Sequence, residues 1–258
     1  MSIEHSLAAH LIAHRGYQRL YPENSLLAIE EAIACGALFF ETDVQFSADG
    51  VPLLFHDENL QRVCGRDGKV SQCRWLDLQT FTANEPSRLN QQFISVKIAQ
   101  LSSLVDILLR FPKVQAFIEL KEEAVRSRGA TFCLRAIQAA LAPVLSRCVL
   151  ISFDISALQK AKNYGFKRVG PVVKNWKNRQ TIARDLSAEV LFCDQKRIPE
   201  EEDLHLNDCA LAIYEVGDID TARQLLARGA QFIETFAIGE MLGCASLETI
   251  ANQNKNHL

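Results

Sequence analysis

The stretch "FFETDVQFSADGVPLLFHDE", from Phe39 to Glu58, decides how the fold is read, because it combines a buried strand with charge that a buried strand should not carry. "FFETDVQF" is apolar apart from a few positions, and "VPLLFH" supplies an antiparallel return partner after the "SADG" turn. Side chains two apart on a strand share a face, so Glu41 and Asp43 project together. Two adjacent buried carboxylates are costly unless positive charge answers them. A hard divalent ion with oxygen ligands, Mg²⁺ or Ca²⁺, is one answer, and salt bridges to Lys or Arg on neighbouring strands are the other.

Outward from this hairpin, short apolar runs alternate with longer helical patterns along the chain. "HLIAH", "LFFETDVQF", "VQAFIEL", "CVLISF", "RVGPVV", "EVLFCD", "ALAIYEV" and "QFIETF" give eight principal strands. Segments such as "SLLAIEEAIACG", "LSSLVDILLRFP", "TFCLRAIQAALAPVL", "ISALQKAKNYG" and "IDTARQLLARG" carry apolar residues at spacings of three and four, and several stop at Gly or Pro. Eight β/α units in 258 residues predict an α/β fold of the (β/α)₈ barrel type, a TIM barrel, as a single domain over 1–258. The competing doubly wound sheet lacks its G-x-G-x-x-G turn after the first strand. The polar, turn-rich segment from about 58 to 100 is too long for a simple connection and reads as a small insertion on the strand C-terminal face, where barrels place their sites.

Composition limits the partners. A net charge of −3, with 48% hydrophobic and 23% charged residues, gives no basic surface for nucleic acid and no charged tail. The expected partner is a small molecule. No apolar run approaches the roughly 20 residues of a transmembrane helix, and the start of the chain does not read as a secretory signal. The eight cysteines, Cys35, Cys64, Cys73, Cys133, Cys148, Cys193, Cys209 and Cys244, show no C-x-x-C and no pairing pattern. They read as small core residues in a reducing compartment, so the expected location is cytoplasmic.

Further chemistry gathers at strand ends. "FIELK" places Glu119 and Lys121 two apart, so Glu119 can complete a three-carboxylate metal shell while Lys121 meets an anion. His14 closes the first strand and His56 the hairpin, and two histidines flanking a scissile bond can act as general base and general acid. Arg15 offers a planar fork for phosphate oxygens. In "PENS", Pro22 to Ser25, Asn24 or Ser25 reads as the cap of the following helix.

The ordered set H-R-G, P-E-N-S, E-x-D, G-x-P-x-x-x-H-D and E-x-K resembles the glycerophosphodiester phosphodiesterase family, and "ISFD" at Ile151 to Asp154 extends the likeness. The resemblance implies a (β/α)₈ barrel that hydrolyses glycerophosphodiesters to sn-glycerol 3-phosphate and an alcohol with a divalent metal ion. By the same resemblance, the catalytic histidines fall on His14 and His56. The metal carboxylates fall on Glu41, Asp43 and Glu119, and the phosphate-binding residues on Arg15 and Lys121. His14 is assigned as base and His56 as acid.

The chain departs from the family pattern at its last two strands. Tyr214, Glu215 and Gly217 stand where the family usually has Trp, Thr and Asn, and Phe236 follows Thr235 where an Asp is usual. Tyr214, Glu215 and Trp176 are therefore candidates for the substrate pocket. Glu215 and Glu234 are either binders of a cationic head group, extra ligands, or solvated rim residues, with the rim favoured. Two alternatives follow: a lysophospholipid phosphodiesterase of the D type, and a barrel that binds phosphate esters without cleaving them.

Overall fold

The computed structural model describes residues 7–244. Each apolar run becomes a strand: β1 (Leu11–Ala13), β2 (Phe39–Phe46), β3 (Pro52–Leu54), β4 (Gln115–Leu120), β5 (Cys148–Ser152), β6 (Val169–Val173), β7 (Val190–Asp194), β8 (Ala210–Tyr214) and β9 (Phe232–Thr235). Eight of them are parallel and close on themselves, since β1 pairs with both β9 and β2. The ninth, β3, returns antiparallel along β2 with Val44 opposite Leu54 and Phe46 opposite Pro52.

Helices follow most strands: α1 (Leu26–Ala34), α2 (Leu104–Arg110), α3 (Glu122–Arg128), α4 (Ala130–Leu141), α5 (Ile155–Ala161), α6 (Arg179–Leu186), α7 (Ile219–Ala227) and α8 (Ile238–Met241). The periodicity gives α1, α2, α4, α5 and α7 but neither α3 nor α6. α3 buries only Ala124, and α6, "RQTIARDL", is polar at five of its eight positions, so neither presents an apolar run. No single helix among the described residues is long and apolar enough to cross a membrane.

The barrel is filled at its floor by aromatic rings and at its mouth by charge. Phe39, Phe117, Phe192 and Phe232 meet inside, with ring centroids 5.1 Å apart for Phe39 and Phe232 and 5.2 Å for Phe117 and Phe192. Two residues further along the same strands, on the same inward face, come Glu41, Glu119 and Glu234. The apolar floor thus excludes water beneath the acids.

The 58–100 segment has its own small core. Leu60, Val63, Val70, Leu78, Ala83 and Ile98 pack with Leu53 and Phe55 of the hairpin, separately from the layer between barrel and helices. Short helices at Gln61–Cys64, Trp75–Leu78 and Pro86–Leu89 supply its frame.

One expectation is corrected. Cys35, at the C-terminal cap of α1, is disulfide-bonded to Cys244 beyond α8, with Cα atoms 5.4 Å apart. Their sequence separation of 209 residues left no local pattern to read. The other six cysteines are free, and only Cys73 among them is not buried.

Three outcomes test this architecture. Phe117→Ala, which opens the floor, should cost about 3–5 kcal/mol in denaturant unfolding. Burial holds the thiols of Cys133 and Cys193 up at about 11 and those of Cys64, Cys148 and Cys209 at about 12. Alkylation of the native, non-reduced chain at pH 8 should therefore modify Cys73 alone within minutes, as read by peptide mass. The unfolded chain releases these thiol protons at lower pH than the native one, so stability should fall as pH rises from the ordinary thiol range towards 12.

Candidate active site at the barrel mouth

The turn after β1 brings the first two groups in. Arg15 is left-handed at φ 53° and Gly16 at φ 81°. A Cβ on Gly16 would lie 2.6 Å from the Ala28 carbonyl carbon, so only glycine lets this turn press onto α1. The unusual backbone of Arg15, about 1 kcal/mol unfavourable for a non-glycine residue, is held from both sides. Its N–H donates to Glu41 Oε2 at 3.2 Å, and its carbonyl accepts from the Asn24 N–H at 3.1 Å.

The two residues expected to cap α1 divide the work. Ser25 is the cap, its hydroxyl accepting from the Ala28 N–H at 3.0 Å. Asn24 instead orients the acidic strand: its Nδ2 donates to Asp43 Oδ2 at 2.8 Å, and its Oδ1 accepts from Thr42 Oγ1 at 2.6 Å and the Asp43 N–H at 3.0 Å. The buried Asp43 is thereby fixed before any cation is considered.

An unbroken run of alternating charges crosses the mouth. Asp43 lies 3.0 Å from Arg15 Nε and 3.2 Å from Lys121 Nζ, and Lys121 reaches Glu119 at 2.8 Å. Arg15 continues to Glu23 at 3.1 Å, and Glu23 to Arg62 at 2.6 Å. Arg62 also grips Asp57 at 2.8 Å, and Asp57 holds His56 Nδ1 at 2.6 Å. Lys and Arg partners were one of the two answers open for Glu41 and Asp43, and Asp43 has them. Burial alone would raise its pKa, but Lys121 and Arg15 hold it well below the usual carboxylate range. Glu41 is different: burial first, then Asp43 and Glu234, push its carboxyl well above that range, and burial likewise raises Glu119.

His14 and His56 line the same cavity of about 160 Å³ together with Arg15, Glu41, Glu119, Lys121, Tyr214, Glu215 and Glu234. His14 is buried, 3.9 Å from Glu41 and 3.9 Å from Glu215, and burial followed by the Arg15 charge lowers its pKa well below the ordinary histidine value. Carboxylate oxygens of Glu41, Asp43 and Glu119 lie within 4.8 Å of one another. Glu41 Oε1 has no hydrogen-bond partner among the described residues. An all-oxygen donor set with an orphaned, buried acceptor suits a hard divalent cation.

Two pocket expectations change. Trp176 does not reach the cavity: it is buried in the β6–α6 connection, donates from Nε1 to Glu202, and lies under Arg179 at 4.1 Å. Glu234 is no rim residue, being 4% exposed inside the mouth, whereas the Glu215 side chain is 51% exposed. Sequence reasoning gave no role to Arg62 or Glu23. Glu23 was flagged only by its motif, and Arg62, on the insertion, carried no signal.

Two histidines, cationic side chains and clustered carboxylates thus meet at the C-terminal mouth of a closed parallel barrel. The model of the "Glycerophosphoryl diester phosphodiesterase family" matches residues 14–198, and the chain belongs to that family. Among its relatives, glycerophosphodiester phosphodiesterase 1 of Bos taurus is 30% identical over 151 residues, 58% of this chain and 44% of that protein. Glycerophosphoinositol inositolphosphodiesterase GDPD2 of Homo sapiens is 54% identical over 52 residues, 20% of this chain and 10% of that protein. The chain thus spans less than half the length of either. Two solved structures share the fold. A phosphodiesterase of Oleispira antarctica, in complex with the product sn-glycerol-3-phosphate, superposes with a TM-score of 0.79 at 22% identity, covering 93% of this chain and 98% of that one. A glycerophosphodiester phosphodiesterase of Agrobacterium tumefaciens gives 0.74 at 21% identity, covering 91% and 99%.

Asn24→Leu tests the local design. It removes both ends of a buried amide, taking one hydrogen-bond donor from Asp43 and the acceptor of Thr42 and of the Asp43 N–H, so it should destabilise the chain by about 1–3 kcal/mol in denaturant unfolding.

Proposed function

We propose that this chain hydrolyses glycerophosphodiesters to sn-glycerol 3-phosphate and an alcohol, using His14 as general base and His56 as general acid beside a divalent cation. The observation that carries the proposal is the convergence of both histidines, Arg15, Lys121, Glu41 and Glu119 on one cavity, with the Asp43 carboxylate beside those of Glu41 and Glu119. Family membership and the product named in the Oleispira antarctica complex support the substrate class.

The roles follow from protonation and geometry. His14, with its pKa held low, is neutral at pH 7 and able to take a proton from an attacking hydroxyl, either water or the substrate's own glycerol hydroxyl. His56 has Nδ1 engaged by Asp57, which leaves Nε2 for the departing alkoxide and places a carboxylate where it steadies the imidazolium. Arg15 donates from Nη1 to Glu23 and pairs in charge with Asp43 through Nε at 3.0 Å, so Nη2 remains for a phosphate oxygen. Lys121 donates to Asp43 and lies 2.8 Å from Glu119, and its three-donor ammonium has a further N–H to offer. Glu41, Asp43 and Glu119 would hold Mg²⁺ or Ca²⁺, which supplies Lewis-acid stabilisation of charge on the phosphoryl oxygens.

Beside the cavity of about 160 Å³ lies a second of about 430 Å³ that shares His56, Glu119, Lys121 and Phe153 with it, so the mouth offers room on both sides of a phosphodiester.

Purified protein should release sn-glycerol 3-phosphate from glycerophosphocholine, glycerophosphoethanolamine or glycerophosphoglycerol when Mg²⁺ or Ca²⁺ is present, and chelator should abolish release. His14→Ala and His56→Ala should each lower kcat by about 10²–10⁴. Cleavage of a lysophospholipid alone would move the substrate. Absence of hydrolysis under every metal condition would leave a phosphate-ester binder and defeat the proposal.

A further inference from the structure

Glu234 is a buried acid to which the mechanism above gives no work. It lies on β9 two residues beyond the floor residue Phe232, on the same inward face, in register with Ile12 of β1. Its Oε1 has no hydrogen-bond partner among the described residues, and neither has Glu41 Oε1 or His14 Nδ1. All three side chains are more than nine-tenths buried and line the one cavity. An uncompensated buried carboxylate is expensive, and the mouth already commits its cations elsewhere. Arg15 pairs with Asp43 and Glu23, and Lys121 with Asp43 and Glu119.

A ring nitrogen of His14 and carboxylate oxygens of Glu41 and Glu234 lie within 4.8 Å of one another, as do those of Glu41, Asp43 and Glu119. The two sets share Glu41 alone. Their chemistry differs: the second set is all oxygen, whereas the first adds an imidazole nitrogen. Imidazole suits Zn²⁺ and its neighbours in the transition series, while carboxylate-only sets suit Mg²⁺ and Ca²⁺. One His and two Glu also make the three-ligand count of an open zinc site, with a position left for a further ligand.

We propose that His14, Glu41 and Glu234 form a second cation site, selective for a transition-metal ion such as Zn²⁺, that adjoins the hard-ion site and shares Glu41 with it. Binding stands on this geometry alone. Its consequence for turnover rests on the base role proposed for His14: ligation of one ring nitrogen leaves the proton on the other, so a ligated His14 accepts no proton. Zn²⁺ at this site therefore inhibits the Mg²⁺-loaded enzyme.

The test uses Co²⁺ as a spectroscopic probe. The intact chain, saturated with Mg²⁺, is titrated with Co²⁺, following the visible absorption of nitrogen-ligated cobalt and the bound metal by equilibrium dialysis. Glu234→Gln, which keeps the volume and removes the charge, and His14→Gln, which removes the nitrogen, are titrated alongside with circular dichroism as a folding control. The expected result is a Co²⁺ affinity weakened about tenfold or more in both variants, with a parallel shift of Zn²⁺ inhibition in Glu234→Gln. Co²⁺ affinity and spectrum unchanged in either folded variant would overturn the site. Glu234-dependent binding in a chain that hydrolyses no glycerophosphodiester would uphold the site and defeat only the catalytic reading. Hydrolysis without Glu234-dependent binding would do the reverse.

Discussion

Repulsion among carboxylates held over an aromatic floor is the constraint to which the rest of this structure answers. Glu41, Asp43, Glu119 and Glu234 share a mouth from which the rings of Phe39, Phe117, Phe192 and Phe232 exclude water from below. The Arg15 and Lys121 contacts to Asp43 neutralise one of them, and the strained backbone of Arg15 is the cost of placing a guanidinium there. Around this pair the P-E-N turn, the glycine contact with α1 and the Glu23–Arg62 link are all aligned. The positive charges of the mouth are thus oriented by the protein itself, before any ligand is considered.

Much of this was legible in the sequence because period-two alternation reports which side of a strand a residue takes. Glu41 with Asp43 and Glu119 with Lys121 could be placed on one mouth for that reason, and the nine apolar runs matched the nine strands. What alternation does not report is depth. Glu234 could be assigned to a strand end but not recognised as enclosed, because enclosure depends on what the other strands of the barrel bring alongside it. Trp176 was misplaced by the opposite route: its nearness in sequence to the end of β6 said nothing of Arg179 and Glu202, which hold it away from the cavity.

Long-range pairs were the other blind spot. Arg62 meets Glu23 across 39 residues, and Cys35 meets Cys244 across 209, by contacts set by the folded arrangement of distant segments rather than by any local pattern. Helices α3 and α6 escaped notice for a third reason: α3 buries only Ala124, and α6 is polar at most of its positions, so no apolar run announces either.

The separate core of the insertion gives the two histidines different anchors. His14 follows a barrel strand, whereas His56 follows a hairpin whose Leu53 and Phe55 belong to the insertion's own cluster. The docking between the two bodies runs through the Leu54 N–H donating to the Ala99 carbonyl, through Arg62 on Glu23, and through Glu85 accepting from the Glu23 N–H. The separation of the two histidines across the mouth is therefore a property of an interface. Small cores open locally at lower free energy than large ones, so the insertion sets the alignment of the active site as a hinge plate sets a door, and its sequence can tune the site without altering a residue inside the barrel.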